Sequence, residues 1–380
     1  MVLYNPVPTI LKEETAIKIS KIDILETDIP LVVPFRTALR TVSSVNDIIV
    51  AVHTDTGETG YGEAPPTSVI TGDTKGSIRC AIRDFIAPAI TGMNLENMEE
   101  ILHALHSCIL NNSSAKAAVD MAVYDLYARS LHRPLYQILG GAKHQLETDI
   151  TISVNPIDVM VQDSLAAVNS GFKILKVKVG KEGMKDVERI AQIRLAAGTG
   201  IAIRVDANQG WTPKEAVRII TRMEDLGLDI ELVEQPVPAH DLYGMQYVTA
   251  HSSTPVLADE SVFTPGDAIQ LLEMHGADML NIKLMKTAGI YQALKICSIA
   301  EIYGVACMMG CMLESKLAVS AAAHLAAGKN VITKVDLDGP ALCRTDPFTG
   351  GPQFDGPHIR MNQTDGIGIT YNPVSYKGLS

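Results

Sequence analysis

From about residue 149 onward, the chain alternates short β-branched runs with amphipathic stretches. This alternation is typical of βα units that build a parallel sheet. The runs lie at 149–154, 174–179, 201–206, 230–234, 255–259, 278–283, 305–309 and 331–336. Eight such units in about 200 residues predict a closed (β/α)8 barrel rather than an open doubly wound sheet.

Two local signals agree with that fold. Thr212-Pro213 and Thr264-Pro265 follow the third and fifth runs, and each predicts a helix start with an N-cap and a proline at the first helical position. The first βα turn has no G-x-G-x-x-G, and Gly198-Thr199-Gly200 precedes a strand instead of opening a helix. The sequence therefore lacks the signature of a dinucleotide-binding fold.

The first half of the chain has a different pattern of strand-like and helical segments. This pattern predicts an α+β domain. Alternating apolar residues flank Asp55-Thr56-Gly57, which indicates a hairpin. Helices are expected at about 75–91, 96–110 and 114–130, the last opening with a serine N-cap. We therefore expect the following division: an extension at 1–15, an α+β capping domain at 16–146, the barrel at 147–344 and a C-terminal segment at 345–380 that returns to the cap.

Charge and cysteine content exclude several classes of protein. The formal charge is -11, and no Lys/Arg cluster stands out, so nucleic acid and anionic membranes are poor partners. No apolar run reaches the length of a membrane span, and Met1–Thr15 lacks the features of a secretory signal. Six cysteines are too sparse for a disulfide scaffold. We expect a cytoplasmic protein with reduced thiols that forms a homo-oligomer.

Charged residues recur where the predicted barrel strands end. Lys178, Asp206, Glu234, Asp259 and Lys283 follow one another at intervals of one βα unit, and Asp336 lies two units further on. One such charge could belong to a structural ion pair. Charges at five consecutive strand ends instead indicate a shared site, because an unpaired buried ion costs several kcal/mol. Active sites of barrels lie at this end of the strands.

The order of these residues points to a reaction. Strand parity places Lys176 and Lys178 on the inner face of their strand, since the apolar residues that alternate with them must face the helices. Three carboxylates without Cys or His suit Mg2+. A metal that stabilises a developing oxyanion, with an amine on each side, can serve proton removal beside a carboxylate. A lysine acts as a base only if its pKa falls, which burial and neighbouring cations such as Lys176 favour. One base on each face predicts a 1,1-proton transfer.

With these motifs in view, the chain resembles the enolase superfamily, muconate-lactonising subgroup, and most closely its dipeptide epimerases. The resemblance runs from about Ile17 over nearly the whole chain. It rests on the segments PFRTALRT, GYGEAPPT, AKAAVDMAVYDLYARSL, KVKVG, DANQGW, VEQP, ADES and NIKLMK. Lysine bases combined with Mg2+ are established in enolase-type sites. The seventh strand lacks the histidine of the mandelate-racemase subgroup, and His324 lies in the helix after it.

The resemblance implies specific roles. Asp206, Glu234 and Asp259 would bind one Mg2+, with Mn2+ as an alternative. Lys178 and Lys283 would form the acid/base pair. Lys176 would lower the pKa of Lys178.

Two further features bear on the substrate. Asp336-Leu337-Asp338 places two carboxylates on one side of a strand end, where they can bind an ammonium group, although an isolated Asp-x-Asp could also be a second metal site or a solvated turn. In dipeptide epimerases the same feature is taken to hold the substrate's N-terminal amine. Arg40 matches the position that contacts the glutamyl carboxylate in Ala-Glu epimerases, and Arg36 is a second candidate. Either arginine could instead lie on a solvated loop.

The resemblance therefore implies epimerisation of L-Ala-L-Glu to L-Ala-D-Glu, a murein-peptide fragment. Other reactions of the subgroup remain open: N-acylamino acid racemisation, o-succinylbenzoate synthesis and muconate cycloisomerisation. An aldolase that forms a Schiff base at Lys178 or Lys283 would need one lysine and no metal triad. A catalytically silent binding protein of the same fold would tolerate loss of the lysines, yet every expected position is occupied.

Overall fold

The structure, a computed structural model, describes residues 16–36, 41–141 and 143–371. In the cap, strands β1 (Ile19–Glu26), β4 (Ile48–Thr54) and β5 (Thr59–Ala64) form an antiparallel sheet in the order β1-β4-β5. Strands β2 (Ile29–Arg36) and β3 (Thr41–Val45) pair separately. The cap helices are α1 (Lys75–Ala81), α2 (Ala87–Ile90), α3 (Met98–Ser107), α4 (Ser113–Ser130) and α5 (Leu135–Ile138). The hairpin predicted at Asp55-Thr56-Gly57 joins β4 to β5, which confirms it.

The second half is a parallel eight-stranded sheet in chain order. Its strands are β7 (Ile150–Ile152), β8 (Ile174–Lys178), β9 (Ala202–Asp206), β10 (Ile230–Glu234), β11 (Val256–Ala258), β12 (Met279–Ile282), β13 (Ala306–Gly310) and β14 (Ile332–Asp336). The helices after the first seven are α6 (Ile157–Asn169), α7 (Lys185–Ala197), α8 (Pro213–Asp225), α9 (Leu242–Ala250), α10 (Pro265–Glu273), α11 (Ile290–Tyr303) and α12 (Lys316–Gly328). The predicted barrel is thus confirmed. Within the described residues, no backbone ladder joins β14 to β7, so the barrel has a seam there.

Side-chain parity decides what lies on each side of the barrel wall. Leu175 and Val177 of β8 are fully buried in the core between strands and helices. Lys176 and Lys178 point into the barrel, where both bind carboxylates of other strands. The wall is therefore held by apolar packing, and the barrel interior carries the charge.

The helix starts follow the predicted capping at two of three positions. Thr212 and Thr264 each form a capping box, and the first residue of the helix that follows is proline. The serine N-cap predicted for α4 is wrong, because the N-cap is Asn112 in a left-handed conformation without a side-chain hydrogen bond. The amide of Ser114 instead donates to Asp73 of the cap, which supplies the missing acceptor.

The remaining elements tie the end of the chain to both domains. They are β6 (Gln145–Glu147), α13 (Gly339–Leu342), β15 (Phe348–Gly350), β16 (Gln353–Asp355), β17 (His358–Arg360) and β18 (Ile369–Tyr371). β17 pairs with β6, and β18 pairs with β15. The amide of Ile367 donates to Asp125 of α4 at 2.7 Å, so the C-terminal segment contacts the cap.

Buried carboxylates of the cap accept hydrogen bonds from the N-termini of barrel helices. Asp120 of α4 accepts from the amide of Ile290 at 2.6 Å, at the start of α11. Glu63 of β5 accepts from the amides of Ser315 and Ala318, both at 2.9 Å, at the start of α12. A carboxylate in this position satisfies amides that the helix cannot pair and complements the helix dipole. The two domains are therefore joined by polar contacts as well as by apolar packing.

Two further observations concern the cysteines and the helices of the described residues. All six cysteines are unpaired. Among the helices that the structure describes, none is long and apolar enough to cross a lipid bilayer.

Candidate active site

The charged residues predicted from the strand ends meet at one end of the barrel. Lys178, Asp206 and Glu234 are the last residues of their strands, while Asp259 and Lys283 each follow the end of a strand by one residue. All are nearly or fully buried. Lys178 and Lys283 extend from β8 and β12, which are four strands apart in a ring of eight. The two amines therefore approach from opposite sides of the barrel.

Lysine ammonium groups lie directly against the carboxylates. The Lys178 Nζ atom is 2.5 Å from Asp206 Oδ2, and the Lys283 Nζ atom is 2.7 Å from Asp259 Oδ2. Lys176 occupies the centre: its Nζ atom lies 2.8 Å from Glu234 Oε2 and 3.2 Å from Asp206 Oδ2. Each charge is thus compensated, which makes a buried cluster of this size tolerable.

Sequence reasoning missed three buried polar residues of the same cluster. Lys286 Nζ lies 2.6 Å from Asp259 Oδ1, and Asn281 Nδ2 donates to Glu234 Oε1 at 2.9 Å. Glu260 is buried next to Asp259, and its Oε2 atom has no hydrogen-bond partner. Asn281 could have been found from parity, since it alternates with Lys283 along NIKLMK. Lys286 gave no such signal, because it lies in the turn after β12.

The pKa values of the buried groups are shifted both by burial and by neighbouring charges. Burial raises the pKa of Glu234, and the nearby Asp206 raises it further, to about 7. Burial lowers the pKa of Lys283, but Asp259 and other carboxylates outweigh burial and raise it above the ordinary value. Lys176 also has a raised pKa for this reason. The lowering that we expected for a lysine base is therefore not seen at Lys283, although Lys176 does act on it in the lowering direction.

The donor set fits a hard divalent cation in its chemistry. Asp206, Glu234 and Asp259 are buried carboxylates from adjacent strands, and Glu234 Oε2 and Asp259 Oδ1 accept no hydrogen bond of good geometry. Within 16–36, 41–141 and 143–371, no three acidic, histidine or cysteine side chains stand as a ready-made metal cage. In this structure lysine ammonium groups lie against these carboxylate oxygens. A cation would have to displace these contacts.

A pocket opens above the charged cluster and reaches the cap. Its barrel side includes Lys178, Lys283, Asp336 and Asp338. Its cap side is apolar and is formed by Phe35, Val69 and Ile70. Met312 and Leu313 line it from the loop after β13, and Leu342 lines it from the end of α13. A substrate in this pocket would contact charge at its base and hydrocarbon at its mouth.

Two aspartates at the end of β14, Asp336 and Asp338, line this pocket and differ in pKa. Asp336 Oδ2 lies 2.6 Å from Lys176 Nζ; burial raises its pKa, but Lys176 and the other lysines outweigh burial and hold the pKa at about 2. Asp338 is raised to a pKa of about 6 by burial and by Asp336, and its Oδ2 accepts from the Thr151 amide at 2.7 Å. Both aspartates line the pocket and Leu337 between them does not, so the alternate residues of this segment point the same way.

The predicted arginines cannot both be placed. Arg40 lies outside the described residues. Arg36 ends β2, is exposed, and donates from Nη1 to Asn155 Oδ1 at 3.3 Å, beside Phe35 of the pocket.

Comparison with known proteins gives consistent matches along the chain. The family model described as mandelate racemase / muconate lactonizing enzyme, N-terminal domain, matches residues 19–140, and the model described as enolase C-terminal domain-like matches residues 160–375. An L-Ala-D/L-Glu epimerase from Clostridium acetobutylicum is 53% identical over 341 residues, which are 90% of this chain and 95% of that protein.

Solved structures show the same similarity. A substrate-liganded complex of the L-Ala-D/L-Glu epimerase from Bacillus subtilis superposes with a TM-score of 0.92 at 49% identity, covering 93% of this chain and 98% of that one. A dipeptide epimerase from Enterococcus faecalis, complexed with Mg and L-Leu-L-Tyr, gives a TM-score of 0.90 at 42% identity, covering 93% of this chain and all of that one.

Proposed function

Because the chain belongs to the mandelate racemase / muconate lactonizing enzyme family, we propose that it is an isomerase that epimerises dipeptides, with L-Ala-L-Glu and L-Ala-D-Glu as its substrate pair. One observation carries the proposal. Lys178 and Lys283 extend from strands on opposite sides of the barrel, and the strands between them carry three carboxylates. Both lysines lie at the base of a pocket that Asp336 and Asp338 also line. The relatives named L-Ala-D/L-Glu epimerase, at 53% and 49% identity, support the choice of substrate.

The proposed cofactor is one Mg2+ per chain, with Mn2+ as an alternative, held by Asp206, Glu234 and Asp259. Three carboxylates without a soft ligand suit such a cation, and a relative from E. faecalis was solved with Mg. When bound, the cation would stabilise the negative charge that develops on the substrate carboxylate. Two of the carboxylates that raise the pKa of Lys283, Asp259 and Glu234, are proposed to bind the cation, so cation binding is expected to lower that pKa.

The two lysines would perform the proton transfers. One neutral amine removes the proton from the α-carbon of the C-terminal residue, and the ammonium group on the other side returns a proton to the same carbon. Because the groups come from β8 and β12, the proton leaves one face and returns on the other, which inverts the centre. For the reverse reaction the two lysines exchange roles. Lys176 lies in the same cluster, and its charge acts on the pKa of Lys283 in the lowering direction.

Recognition of the substrate would use the pocket above. Asp336 and Asp338 would bind the free N-terminal ammonium by charge-assisted hydrogen bonds. Arg40, or Arg36 at the edge of the pocket, would bind the glutamyl carboxylate. The aspartates would favour a dipeptide over an N-acylated amino acid. The arginine would favour an acidic residue at the C-terminus of that dipeptide.

The apolar mouth favours a second candidate, an epimerase of hydrophobic dipeptides. Phe35, Val69 and Ile70 offer no polar partner to a glutamyl side chain. A relative from E. faecalis at 42% identity is named hydrophobic dipeptide epimerase. Comparing kcat/KM for L-Ala-L-Glu and L-Leu-L-Tyr decides between the two, and a preference for L-Leu-L-Tyr would replace the acidic specificity.

The proposed mechanism is tested by solvent exchange. In deuterated water with Mg2+, L-Ala-L-Glu should gain deuterium at the glutamyl α-carbon as L-Ala-D-Glu forms. Lys178→Ala and Lys283→Ala should each abolish epimerisation, and any residual exchange should affect opposite epimers in the two variants. Lys181→Ala is the matched control, because Lys181 is exposed and follows β8, the strand that carries Lys178. This variant should retain epimerisation. Normal turnover in either active-site variant would contradict the two-base mechanism.

We further propose that the protein acts in the cytoplasm, on dipeptides released from murein, as a homo-oligomer. Six unpaired cysteines are compatible with a reducing compartment. The proposed domain division, with the cap at 16–146, the barrel at 147–344 and the returning segment at 345–380, is compatible with the two family models.

A further inference from the structure

The seam between β14 and β7 lies beside the two aspartates proposed to bind the substrate amine. Every other neighbouring pair of barrel strands in the described residues is joined by a backbone ladder. At the seam, the backbone after Asp336 has no such support on the side of β7. On that side its position therefore depends on side-chain contacts, while β13 supports the opposite edge.

Two described hydrogen bonds join the β7 side of the seam to the segment 337–338. The Leu337 amide donates to Thr148 Oγ1 at 2.8 Å, and both groups are buried. Asp338 Oδ2 accepts from the Thr151 amide at 2.7 Å. A third hydrogen bond comes from inside the barrel, where the carbonyl of Val335 accepts from Arg204 Nη1 of β9 at 2.9 Å. Of these contacts, the one from Thr148 is at the residue between the two aspartates.

Thr148 is itself held firmly in place. It lies between β6 and β7, and its amide donates to the carbonyl of Pro357 at 2.8 Å. Its hydroxyl therefore offers a fixed acceptor to Leu337. Without that acceptor, the buried amide of Leu337 would have to find another partner, which requires the backbone to move. Such a movement would change the direction and spacing of the carboxylates on either side.

We propose that Thr148 is a positioning residue that sets the separation of Asp336 and Asp338 and thereby the preference for a free N-terminal amine. The inference rests on the proposed function, because it assumes that these aspartates bind the substrate ammonium. Thr148 itself touches neither the lysines nor the proposed cation ligands by any described hydrogen bond. Its effect should therefore appear in binding and selectivity rather than in proton transfer.

The test uses Thr148→Val, which replaces the hydroxyl with a methyl group of similar size. For L-Ala-L-Glu, KM should rise about tenfold with little change in kcat, since an interaction made equally in ground state and transition state acts on KM. For N-acetyl-L-Ala-L-Glu, which carries no ammonium, kcat/KM should change less than about twofold. The variant Thr148→Ser keeps the hydroxyl and should restore the behaviour of the wild type.

Thr254→Val is a matched control. Thr254 is also buried and also lies two residues before a barrel strand, but its hydroxyl donates to Glu224, away from the pocket. It should leave the ratio of the two substrates unchanged. If Thr148→Val does not yield folded protein, Thr148→Ala removes the hydroxyl without adding a methyl group.

The outcomes separate the inference from the proposed function. A wild type that uses the dipeptide and its N-acetyl analogue equally well would refute the amine site, and the inference with it. If the wild type requires the amine, equal losses on both substrates in Thr148→Val would overturn the inference alone. A Thr148→Ser variant as impaired as Thr148→Val, or a Thr254→Val variant with the same loss of selectivity, would do so too.

Discussion

His324 should make the stability of the fold depend on pH. It lies fully buried in α12 and joins two distant segments: its Nδ1 accepts from the Tyr136 amide at 3.0 Å, and its Nε2 lies 3.2 Å from the carbonyl of Ile367. This arrangement assigns the proton of the neutral ring to Nε2. Protonation would place a second N–H against the amide of Tyr136. Burial accordingly lowers the pKa of His324 from 6.5 to about 4.

The direction and size of the effect follow from this shift. Between about pH 4 and 6.5 the unfolded chain binds a proton at His324 that the folded chain does not, so stability falls as pH decreases through this window. The full shift corresponds to about 3 kcal/mol, and about 2 kcal/mol of it is lost between about pH 7 and pH 5. Buried carboxyls with raised pKa values, such as Glu314, act in the opposite direction. The wild type must therefore be compared with a variant.

The informative variant is His324→Asn, whose side-chain oxygen can accept from the Tyr136 amide but does not titrate. Urea unfolding followed by circular dichroism at about pH 7 and pH 5 gives the free energy of unfolding for both proteins. The loss on acidification should be smaller by about 2 kcal/mol in the variant. His103→Asn, on the exposed side of α3, should behave like the wild type. Equal losses in the wild type and His324→Asn would refute the reasoning.

Three further outcomes are expected. EDTA should stop epimerisation of L-Ala-L-Glu while leaving the circular dichroism spectrum unchanged, and added Mg2+ should restore activity; full activity after chelation would exclude a required cation. Asp338→Asn should reduce kcat/KM for the dipeptide far more than for its N-acetyl analogue, whereas similar reductions would speak against amine binding. Asp120→Ala removes the acceptor at the start of α11 and should lower the free energy of unfolding by about 2 kcal/mol in urea titrations. Asp158→Ala, an exposed residue in the first turn of α6, is its control, and equal stabilities of the two variants would be inconsistent with the capping role.

The barrel could be predicted from the sequence because its signals are local. The run at 230–234 matches β10 in full, and the other predicted runs agree with their strands to within two residues at either end. Parity within KVKVG placed Lys176 and Lys178 in the interior because Leu175 and Val177 had to face the helices. Each of these inferences depends on neighbours in sequence, and the structure confirms them.

Irregular turns inside helices could not be predicted from the sequence in this way. The single helix predicted at 75–91 is interrupted by a π-helical turn at Ile82–Ile86, where the Ala87 amide donates to the carbonyl of Ile82. Pro88 follows this turn, and a proline inside a helix removes one hydrogen bond and collides with the carbonyl four residues earlier. A wider turn relieves the collision. The apolar periodicity of the segment does not carry this information.

The contacts within the site could not be read from the sequence. Lys176 and Asp336 are separated by 160 positions, and nothing near either residue specifies that they meet at 2.6 Å. The raised pKa of Lys283 has the same origin, since it depends on how many carboxylates surround a buried ammonium. Residue types were predictable from the ends of single strands, whereas pairings depend on the closure of the whole barrel.

The ion pairs inside the barrel also bear on how the sequence can change. Lys176, Lys178, Lys283 and Lys286 contact Asp206, Glu234, Asp259 and Asp336, so four positive groups face four negative ones. Replacing one member of a pair by an uncharged residue would leave its partner as an unpaired charge inside the barrel. These eight positions are therefore expected to change together rather than one at a time.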